Sequence, residues 1–185
     1  MNKTMIASAL LCGSALAMTG CQTVEGQMQT GNPLNQPALK STINAVAGNK
    51  NEIGQVFLRP VDGGVQVYGK LMNLQPGKTV SLHIHETGSC GDMGKAAGGH
   101  FNPDNKPHSN PNDMNGHAGD LPNLTANANG VATINYVNKK ISAAEAGKYS
   151  VNRLAFIVHG GVDDYTSQPA GNAGDRVACG IIEKN

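Results

Sequence analysis

The chain has 185 residues, enough for one domain with a real core. It is rich in Gly and Asn, contains no Trp, and lacks the Ala/Leu/Glu/Lys bias of a helical protein, so short strands and long loops are expected. A formal charge of +1 offers no global attraction to a nucleic acid or an anionic membrane, and neither is expected as a partner on that ground.

Lys3 supplies a positive start, and residues 5–18 are an apolar, small-residue stretch that suits a signal peptide and is too short to span a bilayer. The stretch ends Met18-Thr19-Gly20-Cys21, which resembles a bacterial lipobox. Residues 1–20 are therefore read as a signal peptide, and Cys21 as a lipidated mature N-terminus and the one point of membrane attachment. An ordinary secretory signal with an incidental cysteine is the competing reading, because Met18 stands where a lipobox usually has Leu. Both export the chain to the periplasm or cell envelope. Processing removes Lys3, which leaves 13 basic and 13 acidic residues and no net formal charge. It also removes Cys12, and Cys21 is at the processing site. Cys90 and Cys179 remain, and in an oxidising compartment they read as one disulfide.

Residues 21–40, rich in Gln, Gly, Asn and Pro, read as a flexible tether, with the folded domain over 41–185. Strands are expected over 41–46 and 53–59, and Asp62-Gly63-Gly64 signals a hairpin. Val65, Val67, Gly69 and Leu71 then alternate with Gln66, Tyr68, Lys70 and Met72, the period of a half-buried strand. Pro76-Gly77 turns into a strand over 79–86. Residues 87–123 show no periodicity, and so long a loop needs a function or a metal to order it. Further strands are expected over 131–137, 153–159 and 176–182, with a helical turn only over 142–146. The sum is an all-β antiparallel sandwich or barrel with two long loops.

All six histidines lie between His83 and His159. His83 and His85, two apart on a strand, project from one face. His100, His108 and His117 fall in the long loop with Asp120, and His159 closes the apolar run Leu154-Ala155-Phe156-Ile157-Val158. Imidazoles suit copper and zinc, and histidines with one carboxylate suit zinc. His83, His85 and His159 give three ligands for copper; His108, His117 and Asp120 give three for zinc. If His100 bridges as imidazolate, both sets are completed. Glu86 and Asp92 read as solvated acids.

The segments His83-Ile84-His85, Gly98-Gly99-His100-Phe101-Asn102-Pro103, His117-Ala118-Gly119-Asp120-Leu121-Pro122, Ile157-Val158-His159 and Gly174-Asp175-Arg176-Val177-Ala178-Cys179-Gly180 resemble those of the Cu/Zn superoxide dismutases. The resemblance runs from about residue 41 to the C-terminus. It implies an eight-stranded Greek-key barrel, copper on His83, His85, His100 and His159, and zinc on His100, His108, His117 and Asp120. It also implies a Cys90–Cys179 disulfide, Asp163 linking His83 to His108, and Arg176 as the anchor for superoxide. On this reading His100 is catalytic as well as a shared ligand, taking up a proton when copper is reduced. Cys90 follows His85 by only five positions, and the segment from His159 to Arg176 is short, as in the bacterial branch. The family's acid-and-lysine run before the arginine is missing, so local steering would fall to Arg176, with Lys95 and Lys106 as further contributors. The rival function is an envelope module that buffers or delivers metal without turnover. Such modules tend to use softer Met or Cys sites, whereas Met72, Met93 and Met114 are scattered here. A homodimer is compatible with the sequence.

Overall fold

A computed structural model describes residues 37–185; the expected signal peptide, Cys21 and nearly all of the tether lie outside the described residues. The strands are β1 (Leu39–Ala45), β2 (Glu52–Val61), β3 (Gly64–Leu71), β4 (Thr79–His85), β5 (Leu124–Thr125), β6 (Ala132–Asn138), β7 (Ala155–His159), β8 (Arg176–Ile181) and β9 (Glu183–Lys184). They hydrogen-bond in the order β5-β4-β7-β8-β1-β2-β3-β6, and the two-residue β9 adds to β1. Every pairing is antiparallel, and β5 and β6 at the ends of that order pack together, so the sheet nearly closes into the expected Greek-key barrel.

The local signals act as their chemistry requires. Asp62 and Gly63 form a two-residue turn, and Val61 pairs with Gly64 across it. In β3, Val65, Val67 and Leu71 are buried while Lys70 is exposed. The core gathers Leu58, Leu82, Ile84, Leu121 and Phe156, all fully buried, and each such side chain stabilises the fold by about 1.5–3 kcal/mol relative to exposure.

Two expectations fail. Residues 142–146 form no helical turn: Ser142 bridges to Ser150 and 144–146 are bends. The Ser142 hydroxyl accepts the Ala144 N–H, and Gly147 leaves the helical region at φ 130°; five residues cannot offset the cost of helix nucleation. In the long loop, by contrast, Asp92–Ala97 form a short 3-10 segment that periodicity did not signal, with Met93 and Gly94 at positive φ.

Both faces of β4 and β7 are buried. One face gives Leu82, Ile84, Phe156 and Val158 to the barrel core. The other carries His83 and His85 and is roofed by the long loop, which returns to β4 through backbone bonds. Phe101 N–H donates to Ile84 O (2.8 Å), Ile84 N–H to Gly119 O (2.9 Å), and Gly119 N–H to Phe101 O (2.9 Å). His83 pairs locally with Asp120, and His85 with His100.

Candidate metal centre

β4 presents His83 and His85, β7 ends on His159, and the loop bonds just described bring His100 and Asp120 beside them. The ligand atoms form two groups, each within 4.8 Å: His83, His85, His100 and His159, and His100, His108, His117 and Asp120. All seven residues are buried, and His100 belongs to both groups. The grouping expected from the ligand count is the grouping found.

The ring that faces each group is fixed by what the other nitrogen touches. His85 Nδ1–H donates to Gly98 O (2.9 Å) and His159 Nδ1–H to Gly174 O (3.1 Å), and a carbonyl can only accept. Both Nε2 atoms therefore carry lone pairs, and they lie 3.3 Å apart. Asp163 takes the Nε2–H of His83 (2.7 Å) and of His108 (2.9 Å), one on each carboxylate oxygen. It thereby links the two groups as expected and frees the Nδ1 of each ring.

On the second side, Asp120 Oδ1 lies 3.0 Å from the Nδ1 atoms of His100 and His108 and 3.3 Å from His117 Nδ1. Asp120 Oδ2 accepts the backbone N–H groups of Ser109 and His117, which fixes the carboxylate.

Two nitrogens decide whether metal fits. His83 Nδ1 and His100 Nε2 are buried with no hydrogen-bond partner among the described residues. A buried lone pair without a partner is costly, and these two lie in the same group as His85 Nε2 and His159 Nε2. Four converging imidazole lone pairs match a copper site, and three imidazoles with one carboxylate match zinc. The residues fit both ions.

Electrostatics agree. Burial pushes His83 down to about 3, His85 to about 2 and His159 to about 4, so all three are neutral, metal-ready bases at neutral pH. His100 is lowered too, again chiefly by burial. His108 goes the other way, up to about 9: burial opposes its charge, but hydrogen bonds to Asp120 and Asp163 outweigh it. Burial would raise Asp120 and Asp163; hydrogen bonds from the histidines hold both well below the usual carboxylate range. The group around Asp120 thus demands positive charge.

Cys90 and Cys179 are bonded, with Cα atoms 5.7 Å apart, and tie the start of the long loop to β8. Arg176, first residue of β8, is opposite His159. Its two terminal nitrogens donate to Gly94 O and Gly98 O, each at 2.6 Å, so it is a fixed cation and not solvated surface. It lies close enough to lower the proton affinity of His85 and His159. Lys95 lines the same surface cavity as Arg176. Lys106 does not line it; its ammonium is held by Asp104 (3.2 Å) and Met114 O (3.0 Å).

Glu86 is exposed, as expected of a solvated acid, but it has a second role the sequence did not signal: its Oε1 accepts the Gly99 N–H (2.9 Å), stapling the residue before His100. Asp92 is exposed, as expected. Sequence reasoning missed Gly171, where a Cβ would stand 1.8 Å from Asp163 Oδ1 and 2.7 Å from His108 Nε2, at φ 65°. A glycine in an irregular Gly- and Asn-rich loop carries no visible mark of such a contact.

The family model described as Copper/zinc superoxide dismutase (SODC) matches residues 52–182. The chain is 37% identical over 149 residues to "Superoxide dismutase [Cu-Zn] 1" of Aquifex aeolicus, covering 78% of this chain and 88% of that one. It is 40% identical over 144 residues to "Superoxide dismutase [Cu-Zn] 3" of Arabidopsis thaliana, covering 74% and 86%. The crystal structure of a SOD-like protein from Bacillus subtilis superposes with a TM-score of 0.69 at 34% identity, over 77% of this chain and 96% of that one. Fold, ligand groups and sequence agree, and the chain belongs to the copper/zinc superoxide dismutase family, enzymes that use copper and zinc and take superoxide as substrate.

Proposed function

We propose that this chain dismutates superoxide in the cell envelope, with copper held by His83, His85, His100 and His159 and zinc held by His100, His108, His117 and Asp120. The observation that carries the assignment is the pair of buried, unpartnered nitrogens His83 Nδ1 and His100 Nε2, grouped with the lone pairs of His85 and His159. Copper supplies the one-electron chemistry by which one superoxide is oxidised to oxygen and another, with two protons, is reduced to hydrogen peroxide, while zinc fixes the surrounding side chains.

The chain's own residues do the rest. The Arg176 guanidinium, locked by two backbone carbonyls, offers a fixed charge to the incoming anion without cost of reorganisation. Gly98 O serves both Arg176 and His85, so the anchor and a ligand are aligned by one atom. Asp163 holds His83 and His108 in the tautomers that point Nδ1 inward. His100 contributes one nitrogen to each group, which makes its protonation the natural point of coupling between them.

Support for export comes from the lipobox-like Met18-Thr19-Gly20-Cys21 and from the Cys90–Cys179 bond, since disulfides persist in oxidising compartments. Lipid on Cys21 would anchor the enzyme through the stretch that precedes β1. Metal analysis of the exported fraction, combined with a dismutase assay and detergent partitioning, tests the whole reading. Copper and zinc in equal amounts, with activity, are expected. Full activity without copper would overturn it. The likeness to a SOD-like protein favours a second reading, metal holding without turnover. Both ions bound without activity would establish that alternative.

A further inference from the structure

Between the long loop and the segment that follows β6 lies a cavity of about 340 Å³, within the range of small-molecule sites. A neighbouring hollow of about 200 Å³ shares Met114, Lys139 and Lys140 with it, so the two form one trough. Neither cavity is lined by a residue of the metal groups.

The lining has more cations than carboxylates. Lys106, Lys139 and Lys140 face the larger cavity, and Asp104 is its one carboxylate. Asp104 is already engaged by Lys106 (3.2 Å), Lys148 (2.7 Å) and the Tyr149 hydroxyl (3.1 Å). The Lys140 ammonium hydrogen-bonds only to a backbone oxygen, Asp113 O at 3.1 Å, with the carboxylates of Asp113 and Asp120 near enough to act on its charge. The Lys139 ammonium has no hydrogen bond or ion pair among the described residues. Lys140 is also partly desolvated, and burial draws it below the usual lysine range; a charge in that condition gains from a counter-anion.

The same trough is apolar beside its cations. Met114 (52% exposed), Tyr149 (40%) and Val137 (38%) line it, three of the seven large hydrophobic residues that are exposed among those described. Cations with an adjoining apolar wall, in a concavity and not on a raised face, select for a compact ligand that is itself divided in the same way.

We propose that this trough binds a small organic anion with a flat apolar body, the ammonium groups of Lys139 and Lys140 taking the anionic end and Met114 and Tyr149 the body. Occupancy will be felt in the long loop. Lys140 and Lys106 hold Asp113 O and Met114 O, and Gly116 N–H also donates to Asp113 O. That turn leads directly into His117. A ligand that draws Lys140 toward itself shifts the turn.

The test is a titration of the folded, metal-loaded protein with 1-naphthyl phosphate, followed by amide NMR, with inorganic phosphate and 1-naphthol as separate arms. Saturable shifts are expected in residues 102–118 and 137–149, with each half-ligand binding at least about tenfold more weakly. Lys139→Glu, at an exposed side chain with no partner to lose, should raise the dissociation constant by about tenfold or more, since it replaces an attraction with a repulsion. Tyr149→Ala should weaken the naphthyl ester and leave the weak phosphate binding unchanged. Three results overturn the proposal: no shifts at millimolar ester, equal binding of phosphate alone, or an unchanged constant in the Lys139→Glu protein whose spectrum is otherwise native.

Discussion

Breaking the bond between Cys90 and Cys179 should cost this fold more than its small size suggests. The two cysteines are 89 residues apart, and closing a loop of that length removes about 4.6 kcal/mol of chain entropy from the unfolded state at 25 °C. For a domain of about 150 residues this corresponds to a fall of roughly 9–18 °C in melting temperature. The comparison is best made on metal-free protein, because bound ions add their own stabilisation to the folded state. Calorimetry of the oxidised protein, the reduced protein and the Cys90→Ser/Cys179→Ser variant gives the difference directly. A second effect follows from position. The bond anchors the segment that carries Gly94 and Gly98, whose carbonyls hold Arg176, so reduced protein should lose turnover while still holding metal. Oxidised and reduced melting temperatures within about 3 °C, a shift worth only ~1 kcal/mol, would refute the entropic argument. Unchanged turnover in metal-replete reduced enzyme would refute the positional one.

His85→Ala should empty copper and leave zinc, whereas His100→Ala should disturb both; two full sites and a normal copper spectrum in the latter would exclude sharing. Gly171→Ala places a methyl group against Asp163 and His108, and zinc release to a chelator should quicken by about 10–100-fold; an unchanged rate would show that Asp163 does not hold the ligand ring. Arg176→Ala should slow turnover and flatten its dependence on ionic strength with both metals retained, and the same rate and salt slope as wild type would reduce Arg176 to a structural residue. Because His108 is raised to about 9, zinc loading at pH 7 should release about one proton per ion, which calorimetry in buffers of different ionisation enthalpy reads. In metal-free protein the stabilisation from charged His108 is full below 6.5 and is lost as pH rises through about 9. His83, His85 and His159 act oppositely: below 6.5 the unfolded rings take protons that the folded ones refuse, so stability falls toward acid. A denaturation midpoint that climbs between pH 7 and 9 would contradict this balance.

The sequence carried the site more clearly than its supports. Six histidines confined to 83–159, with Asp120, are ligand chemistry that loops and strand ends rarely collect by chance, and the structure groups them as counted. Strand periodicity in 64–71 was equally legible. The roofing of β4 was not: a half-buried and a fully buried strand differ in what lies above them, and the loop that supplies the roof has no period of its own. Glu86 escaped for a related reason. Its partner is a backbone N–H thirteen residues away, and a main-chain donor leaves no mark in a string of side chains. The direction of the Lys106 ammonium, set by Asp104 and Met114 O, is likewise not written in its place in the loop. Residues 142–146 have helical composition, yet the Ser142 hydroxyl competes for the first amide.

The triangle of bonds among Ile84, Phe101 and Gly119 is made wholly of main-chain atoms. The bonds themselves ask nothing of the Ile84 and Phe101 side chains, which serve the core, but the third corner admits no side chain at all: a Cβ on Gly119 would stand 2.2 Å from Ile84 O. Sequence change in this loop is thus channelled. The stretch between the triangle's two loop corners, 102–118, is tethered at both ends. Apart from His108 and His117, from Gly116 with its Cβ space taken by Ser109 and Asp120, and from the buried Ala118, its exposed side chains can vary without touching His100 or Asp120, whereas a methyl group at 119 strikes Ile84 O. Such a loop can acquire new surface chemistry while the centre beneath it stays the same.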